Sequence, residues 1–212
     1  MSAQPVIVGV AGGSGSGKST IVAELVHLLG LGITTVICHD WYYRDLSHFE
    51  LEDRTEVNFD HPSSLETELL VKHVTTLISG SSVDAPSYDF STHTRSSSTI
   101  QLKPSPVLIL DGILTLAHHQ LRKLMDIRVF VDTDVEQRME RRLQRDLNER
   151  GRSAKSVMQQ FEKTVLPMHN QFVEPSKKHA DMIIFGGFYD PSGIKELGIR
   201  VKKLLAPEIP KP

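Results

Sequence analysis

The sequence predicts an α/β fold in three layers, in which helices cover both faces of a mostly parallel sheet. Short runs of β-branched and other apolar residues alternate along the chain with longer segments whose apolar residues recur at helical spacing. Runs that are apolar throughout are typical of strands buried on both faces, and strand–helix alternation is typical of a parallel sheet. The predicted strands span 6–10, 34–38, 107–110, 127–131 and 182–185.

The helical segments are bounded by recognisable stop signals. Gly30 follows the first of them, and Gly80-Ser81 follows the second. The predicted helices span 19–29, 65–79, 135–149 and 194–205.

Two stretches depart from this alternation. Residues 39–62 are polar and rich in aromatic side chains without a sustained period, and they are too long for a simple connection. Residues 83–102 are rich in Ser and Thr and contain two short alternating runs. This pattern predicts a small antiparallel β-ribbon that is inserted beside the main sheet.

Composition excludes several classes of protein. The 212 residues carry 24 basic and 26 acidic side chains, a net charge of −2, so no broad positive field favours nucleic acid or an anionic membrane as a partner. The single cysteine, Cys38, can form neither an internal disulfide nor a multi-cysteine zinc site, which favours a reducing compartment. No apolar run approaches the roughly 20 residues of a membrane span, and no secretory signal precedes the first strand. We therefore expect one cytoplasmic domain, 1–212.

A phosphate-binding loop follows the first predicted strand. Two glycines bracket four residues and are followed by Lys-Ser, and the motif lies between a strand and a helix, as this loop requires. The glycines let successive N–H groups turn toward an anion, and the helix start adds its dipole. We expect nucleotide contacts from Gly12, Gly13, Ser14, Gly15, Ser16, Gly17, Lys18, Ser19 and Thr20.

The chemistry of this loop indicates a nucleoside triphosphate with Mg²⁺. Lys18 supplies a cation for the β- and γ-phosphates, and Ser19 supplies a hydroxyl where Mg²⁺ bridges them. A dinucleotide fingerprint fits less well because Lys18 occupies the place of its last glycine. The alternative, a flexible Gly-Ser loop, is disfavoured by the flanking elements. The loop makes the predicted fold a P-loop NTPase-type α/β fold.

Two aspartates follow predicted strands directly. Asp111 ends the strand at 107–110 and is typical of a metal or water contact, although a helix or turn cap is the alternative. Asp40 lies just after the strand at 34–38, at the sheet edge where ligands of such folds bind. It could accept a hydroxyl proton and lie near the metal, or be a surface turn residue. The guanine-binding motif Asn-Lys-x-Asp is absent from the sequence.

A row of arginines marks the helix at 135–149. The four on one face are Arg138, Arg141, Arg142 and Arg145. Arg150 and Arg152 flank Gly151 just beyond it, which predicts a hinged lid at about 142–160. Guanidinium groups suit phosphate oxygens. The alternative, a solvated helix with Glu–Arg pairs, applies most to Arg138 and Arg141.

Several segments together resemble the uridine kinases, also called uridine-cytidine kinases. The resemblance covers 6–184, and the combination of its motifs is specific to this group. The segments are the phosphate loop at 9–19, His-Asp-Trp-Tyr-Tyr at 39–43, Asn-Phe-Asp-His-Pro at 58–62, Tyr-Asp-Phe and His-Thr-Arg within 88–95, the arginine segment at 141–152 and Phe-Val-Glu-Pro-Ser at 172–176.

The resemblance implies an activity and a role for each matching residue. It implies transfer of the γ-phosphate of ATP or GTP, with Mg²⁺, to the 5′-hydroxyl of uridine or cytidine. Asp40 would be the base, and Lys18, Arg145 and Arg150 would act with it. Ser19, Asp40 and Asp111 would contact the metal. The remaining implied contacts are Phe59 and Asp60 at the ribose, Tyr88, Phe90 and His93 at the pyrimidine, Arg142 and Gln160 at the nucleoside, and Arg145, Arg150 and Arg152 in the lid.

Taken without the resemblance, some of these residues have simpler interpretations. His93 would be an exposed histidine, Asp60 a turn residue, and Tyr88 and Phe90 one face of a strand. The resemblance further implies a homotetramer and feedback by pyrimidine triphosphates.

The sequence also departs from the family pattern in two places. Asp111 stands where the family usually has glutamate, and 185–190 replaces an Arg-Gly-Gly segment on the purine-donor side, which leaves both ATP and GTP open as donors. Two alternatives remain. One is a related kinase acting on ribulose phosphate, pantothenate or nicotinamide riboside, and the other is a nucleotide sensor that transfers nothing.

Overall fold

The computed structural model describes residues 4–186 and 191–206 and contains a five-stranded parallel sheet in the order β2-β5-β1-β6-β7. A separate two-stranded antiparallel sheet is formed by β3 and β4. The strands are β1 Val6–Gly12, β2 Thr34–Cys38, β3 Val83–Asp89, β4 Thr94–Leu102, β5 Val107–Asp111, β6 Ile127–Asp132 and β7 Met182–Phe185.

Helices occupy the predicted positions and several further ones. The predicted helix at 65–79 begins later because Leu65 pairs with Tyr43 in an isolated β-bridge, which keeps the chain extended there. The last helix begins earlier than predicted, at Pro191, a residue well suited to a first helical turn. The helices are α1 Lys18–Leu29, α2 Leu51–Thr55, α3 Thr67–Ile78, α4 His119–Leu124, α5 Val135–Glu149, α6 Ala154–Gln160, α7 Leu166–Met168 and α8 Pro191–Leu205.

The sheet is buried on both faces, as its apolar strands predict. Successive side chains of a strand point to opposite faces. Val8 and Val10 of β1 pack in one apolar core with residues of α1 and α8, whereas Ile7 and Ala11 pack in the other core with residues of α3. The predicted three-layer α/β arrangement is therefore confirmed.

The ribbon predicted at 83–102 is present and lies over the segment that follows β2. A register shift between Pro86 and Tyr88 interrupts its pairing. The Arg95 side chain donates to the Tyr43 carbonyl at 2.8 Å, and Thr94 Oγ1 donates to Asp45 at 2.7 Å. These bonds fix the ribbon next to the loop that carries Asp40.

The helical segment after α5 is less regular than the helices before it. Two π-helical stretches, Phe161–Val165 and His169–Val173, flank α7 and are followed by a 3₁₀ turn, Glu174–His179. Within the ranges 4–186 and 191–206, no helix combines the length and the apolar composition that a membrane span needs.

Candidate active site

Hydrogen bonds within the phosphate loop hold its conformation. The Ser16 N–H donates to the Gly13 carbonyl at 3.0 Å, and Lys18 Nζ donates to the same oxygen at 3.0 Å. Gly15 has a φ of 80°, and a Cβ there would lie 2.2 Å from the Arg138 carbonyl oxygen. Only glycine fits this position, for both reasons.

Lys18 is buried at the base of the loop. Burial lowers the pKa of its ammonium group, and the nearby carboxylates Asp111 and Asp40 oppose that shift. Because β1, β2 and β5 are parallel and in register, their ends meet at one edge, where Cys38 lies opposite Asp111. The topology thus brings the loop and both strand-end aspartates together.

A cavity of about 820 Å³ opens above the phosphate loop. Three of the predicted nucleotide contacts, Gly12, Gly13 and Ser16, do not line it: Gly12 and Ser16 are buried, and the Gly13 carbonyl accepts a hydrogen bond from Lys18. The predicted residues that do line it are Ser14, Gly15, Gly17, Lys18, Ser19, Thr20, Asp40, Asp111 and Arg145.

Oxygen atoms suited to a hard cation converge in this cavity. Ser19 Oγ donates to Asp111 Oδ2 at 3.1 Å, while Asp111 Oδ1 and Asp40 Oδ1 are buried without a protein partner. Mg²⁺ prefers carboxylate and hydroxyl oxygens together with substrate phosphates, so this donor set fits the ion. Asp111 bonds the side chain of Ser19 and no backbone N–H of the described chain, which disfavours the interpretation as a cap.

A second cavity, of about 840 Å³ including its opening to solvent, adjoins the first. The structure brings to its wall all of the residues for which the resemblance implies substrate contact: Phe59, Asp60, Tyr88, Phe90, His93, Arg142, Arg152 and Gln160, together with Arg145 and Arg150.

Asp40 lines both cavities, as do Ser14, Ile113 and Arg145. It lies on the short 3₁₀ turn His39–Tyr42 that follows β2. Burial raises the pKa of its carboxyl, and Lys18 partly reverses that shift. Asp40 therefore faces the shared boundary of the cavities, and a surface turn does not describe it.

Aromatic rings form one side of the second cavity. Phe59 and His93 are stacked at 5.4 Å with an interplanar angle of 21°, and Tyr88 meets Phe90 edge-on at 5.2 Å. The Arg150 guanidinium lies 4.4 Å from the centre of the Phe90 ring. Such surfaces suit a flat heterocycle.

Polar groups in the wall of the second cavity can form hydrogen bonds with the edge of a bound ring. The Tyr88 hydroxyl is buried without a protein partner. Burial, together with Arg152 and Arg150, lowers the pKa of His93, which favours the neutral imidazole with its one donor and one acceptor. His93 is partly buried, so the interpretation as an exposed histidine is wrong.

Asp60 is buried in the wall of the same cavity. Its side chain is 7% exposed, and burial raises the pKa of its carboxyl while Arg142 and Arg145 lower it. A buried carboxylate beside two guanidinium groups can accept hydrogen bonds from hydroxyl groups of a ligand.

The arginine face of α5 turns toward the phosphate loop and the second cavity. Arg142 donates to Ser14 Oγ and to Gln160 Oε1, each at 2.8 Å. Arg138 is buried against the loop and donates to the Thr133 carbonyl, so the solvated-helix interpretation is wrong for it. Arg141 is exposed but donates to the Gly186 carbonyl at 2.6 Å.

Some residues of the second cavity have no counterpart in the sequence predictions. Tyr43, Ser91 and Ile113 line it, and Asp146 holds several of its arginines. Tyr43 could have been found from its place three residues after Asp40. Asp146 could have been found from its spacing of four residues from Arg142. Nothing in the sequence marks Ile113.

The segment that departs from the family pattern, 185–190, is placed only in part. Phe185 ends β7 and Gly186 N–H donates to the Asp132 carbonyl at 2.7 Å. Residues 187–190 lie outside the described residues, so the expected purine-donor side is not located.

Comparisons with known proteins identify the family and the fold of the chain. A sequence model of the phosphoribulokinase / uridine kinase family matches residues 7–187. A uridine kinase of Chloroflexus aurantiacus is 46% identical over 97% of this chain and 98% of its own, and a uridine kinase of Clostridium perfringens is 44% identical over 95% and 97%.

A solved phosphoribulokinase of Rhodobacter spheroides has the same fold, with a TM-score of 0.62, 12% identity and coverage of 86% of this chain and 70% of its own. With these similarities, the chain belongs to the phosphoribulokinase / uridine kinase family and is a P-loop kinase.

Proposed function

We propose that this kinase transfers the γ-phosphate of ATP or GTP to the 5′-hydroxyl of uridine, and also of cytidine, with Mg²⁺. The observation that carries the proposal is the position of Asp40 on the wall shared by the two cavities. One cavity has a phosphate loop, and the other has an aromatic wall and a buried carboxylate. A hydroxyl in the second cavity and a γ-phosphate in the first would meet at Asp40.

The transfer follows from groups at that boundary. The 5′-oxygen forms a bond to the γ-phosphorus as the bond from phosphorus to the β–γ bridging oxygen breaks, and the hydroxyl proton passes to Asp40. Lys18 and Arg145 lie where they can stabilise the charge on the phosphate oxygens. The products are a nucleoside monophosphate and a nucleoside diphosphate.

The metal would be held by this chain's oxygen atoms and by the phosphates. Ser19, Asp111 and Asp40 provide the oxygens, two of which are buried without a protein partner. When bound, Mg²⁺ neutralises charge on the β- and γ-phosphates.

The second cavity supports a pyrimidine nucleoside as the acceptor. The Phe59–His93 stack and the Tyr88–Phe90 pair suit the flat base, and His93 and Tyr88 offer polar atoms for its edge. Asp60 can accept hydrogen bonds from the ribose hydroxyls. A site built around such polar groups discriminates strongly, because a wrong base leaves a buried group unpaired.

Further parts of the proposal come from the family resemblance and from the sequence pattern. Segment 142–160 acts as a lid whose Gly151, with a φ of 62°, separates Arg150 from Arg152. The protein works as a single-domain cytoplasmic enzyme and assembles as a homotetramer. Its partners are small molecules, and neither nucleic acid nor a membrane is among them.

The decisive experiment is detection of UMP after incubation of the protein with uridine, ATP and Mg²⁺. Parallel reactions contain cytidine, adenosine, ribulose 5-phosphate, pantothenate or nicotinamide riboside, and a second series contains GTP. Product from uridine and cytidine alone supports the proposal. Product from another acceptor assigns a related kinase, and donor binding without any product assigns a nucleotide sensor.

A further inference from the structure

One fully buried carboxylate, Asp146, holds the arginines of the second cavity. Arg145 donates to Asp146 Oδ1 through two nitrogens, at 2.9 and 2.8 Å, and Arg150 lies 3.6 Å from the same oxygen. Arg152 and Arg142 lie 3.4 and 3.7 Å from Oδ2. In 4–186 and 191–206, no other carboxylate pairs with any of these four arginines at this range.

The backbone after α5 is shaped to make this cluster. Gly151 adopts a left-handed conformation, and the Arg152 N–H donates to the Asp146 carbonyl at 3.1 Å. The chain therefore turns back on the end of the helix, which places Arg150 and Arg152 on the same carboxylate as Arg142 and Arg145. The side chain of Asp146 has no exposed surface.

A carboxylate at this point does two things to the arginines. It offsets the mutual repulsion of four guanidinium groups that would otherwise crowd one cavity wall, and it fixes the direction in which each group points. It also competes with phosphate oxygens, because the same N–H groups bind either. Arg150 lies farther from Asp146 than Arg145 does. Of these two arginines, Arg150 can therefore exchange Asp146 for a phosphate oxygen more readily.

We propose that Asp146 is a positioning residue for phosphoryl transfer, which orients Arg145 and Arg150 toward the boundary where the γ-phosphate meets the acceptor hydroxyl. This inference rests on the proposed function and adds to it a residue that touches neither substrate. Arg145 lines both cavities and Arg150 lines the second, so both lie within reach of that boundary.

If Asp146 both orients the arginines and competes with phosphate for them, its removal should affect donor affinity and kcat differently, which a purely structural role would not do. Without the carboxylate, the arginines are freer to bind a triphosphate in the ground state, so donor affinity stays equal or rises. The geometry needed in the transition state is lost, so kcat falls, because a small misplacement of a charged group is costly there. Loss of packing alone would weaken donor binding and kcat together.

The test compares Asp146→Asn with a matched control on the same helix, Glu140→Gln, which makes the same chemical change at an exposed position. The kinetic measurements are kcat and the KM for each substrate. Calorimetry gives the Kd of each protein for the donor analogue adenosine 5′-(β,γ-imido)triphosphate in the presence of Mg²⁺. For Asp146→Asn we expect kcat about 10- to 100-fold lower and an equal or lower Kd. For the control, both quantities should match the wild type.

Asp146→Glu keeps the charge and serves as a second variant if the asparagine variant does not fold. Its longer side chain displaces the arginines while their charge partner is kept, so we expect a folded protein with a kcat about tenfold lower. A wild-type kcat in whichever Asp146 variant folds would overturn the inference. An equal loss in Glu140→Gln would overturn it as well, because the effect would then come from net charge.

Failure of the proposed substrates would be recognised separately. If the wild type makes neither UMP nor CMP, the proposed function is overturned, and the calorimetric arm still decides on Asp146 because it needs no acceptor. Weaker donor binding by the folded Asp146→Asn protein than by Glu140→Gln would overturn the inference, and equal or tighter binding would support it.

Discussion

The hydroxyl of Ser14 accepts a hydrogen bond from Arg142 Nη1 at 2.8 Å, and it thereby joins the phosphate loop to the wall of the second cavity. Ser14 lines both cavities. Arg142 in turn bonds Gln160 and approaches Asp146. A change in the phosphate loop can therefore reach the acceptor side through one side-chain contact.

Substitution Ser14→Ala should weaken acceptor binding more than donor binding. A charge-assisted hydrogen bond contributes about 1.5–3 kcal/mol, but Arg142 keeps its bonds to Gln160, so we expect a rise in the nucleoside KM of about tenfold or less. The donor Kd should change little, because the backbone of the loop is unaltered.

The matched control for this variant is Ser91→Ala. Ser91 also lines the second cavity, but its hydroxyl bonds Asp89 within the ribbon at 2.6 Å. The nucleoside KM of the control should stay at the wild-type value. A Ser14→Ala protein with a weaker donor Kd and an unchanged nucleoside KM would contradict the coupling.

Substitution Asp40→Asn should remove the base while the donor still binds at saturating Mg²⁺. General-base catalysis contributes about 10²- to 10⁴-fold, so kcat should fall by that factor. The donor Kd, measured by calorimetry at saturating Mg²⁺, should stay within about threefold of the wild type, since Lys18, the loop amides and the metal-binding oxygens of Ser19 and Asp111 remain. Asp53→Asn, the same change on the exposed helix α2, should be silent.

The pH profile gives an independent check on Asp40. Because burial raises the pKa of this carboxyl, the base becomes protonated at a higher pH than an ordinary aspartate, whose pKa is about 3.9. The kcat/KM of the wild type should fall as pH drops through that raised pKa. The residual activity of Asp40→Asn should lack this acidic limb, and an unchanged limb would assign it to another group.

The sequence predicts the parts of the site that depend on strand order. Asp40 and Asp111 follow parallel strands, and parallel strands end at one edge, so their proximity follows from local pattern and topology. Asp146 could not be predicted in the same way. In the sequence it is one acid among the charges of a polar helix, and its burial arises only because the chain turns back at Gly151 and packs α6 nearby.

The π-helical stretches after α6 are a second feature that local pattern does not reveal. Apolar residues in 161–173 follow the same spacing that an α-helix would show, so the i→i+5 hydrogen bonding of a π-helix leaves no mark in the pattern. Phe161, Val165 and Val173 are all buried in this segment.

Two substitutions of His93 separate its contact with the base from its place in the turn. His93→Ala removes the ring stacked on Phe59, so the nucleoside KM should rise about tenfold or more while the donor Kd is unchanged. His93 has a φ of 52°, a left-handed conformation that costs non-glycine residues about 1–2 kcal/mol. His93→Gly should lose the same affinity but melt at a higher temperature than His93→Ala.

Enzyme kinetics and thermal melting of the two variants test both statements. Equal weakening of donor and nucleoside binding in His93→Ala would exclude a role confined to the nucleoside. Recovery of the nucleoside KM in the glycine variant would show that turn geometry, and not the ring, sets the affinity.

Substitution Asp111→Asn should raise the Mg²⁺ concentration that gives half-maximal activity. The change keeps the shape of the side chain but replaces a charged oxygen ligand with a neutral one, and Mg²⁺ binds such sites through one or two carboxylates and the phosphates. The bond from Ser19 Oγ to the remaining oxygen can persist, so the fold should be unaffected. Titration of activity with Mg²⁺ at saturating nucleotide should show a shift of about tenfold.

Asp111→Glu is the informative control, because it keeps the carboxylate and lengthens the side chain by one methylene. If the carboxylate acts on the metal, the longer side chain should support activity with a Mg²⁺ requirement near that of the wild type. If Asp111→Asn needs no more Mg²⁺ than the wild type, Asp111 only positions Ser19. In that case Ser19→Ala should raise the Mg²⁺ requirement instead.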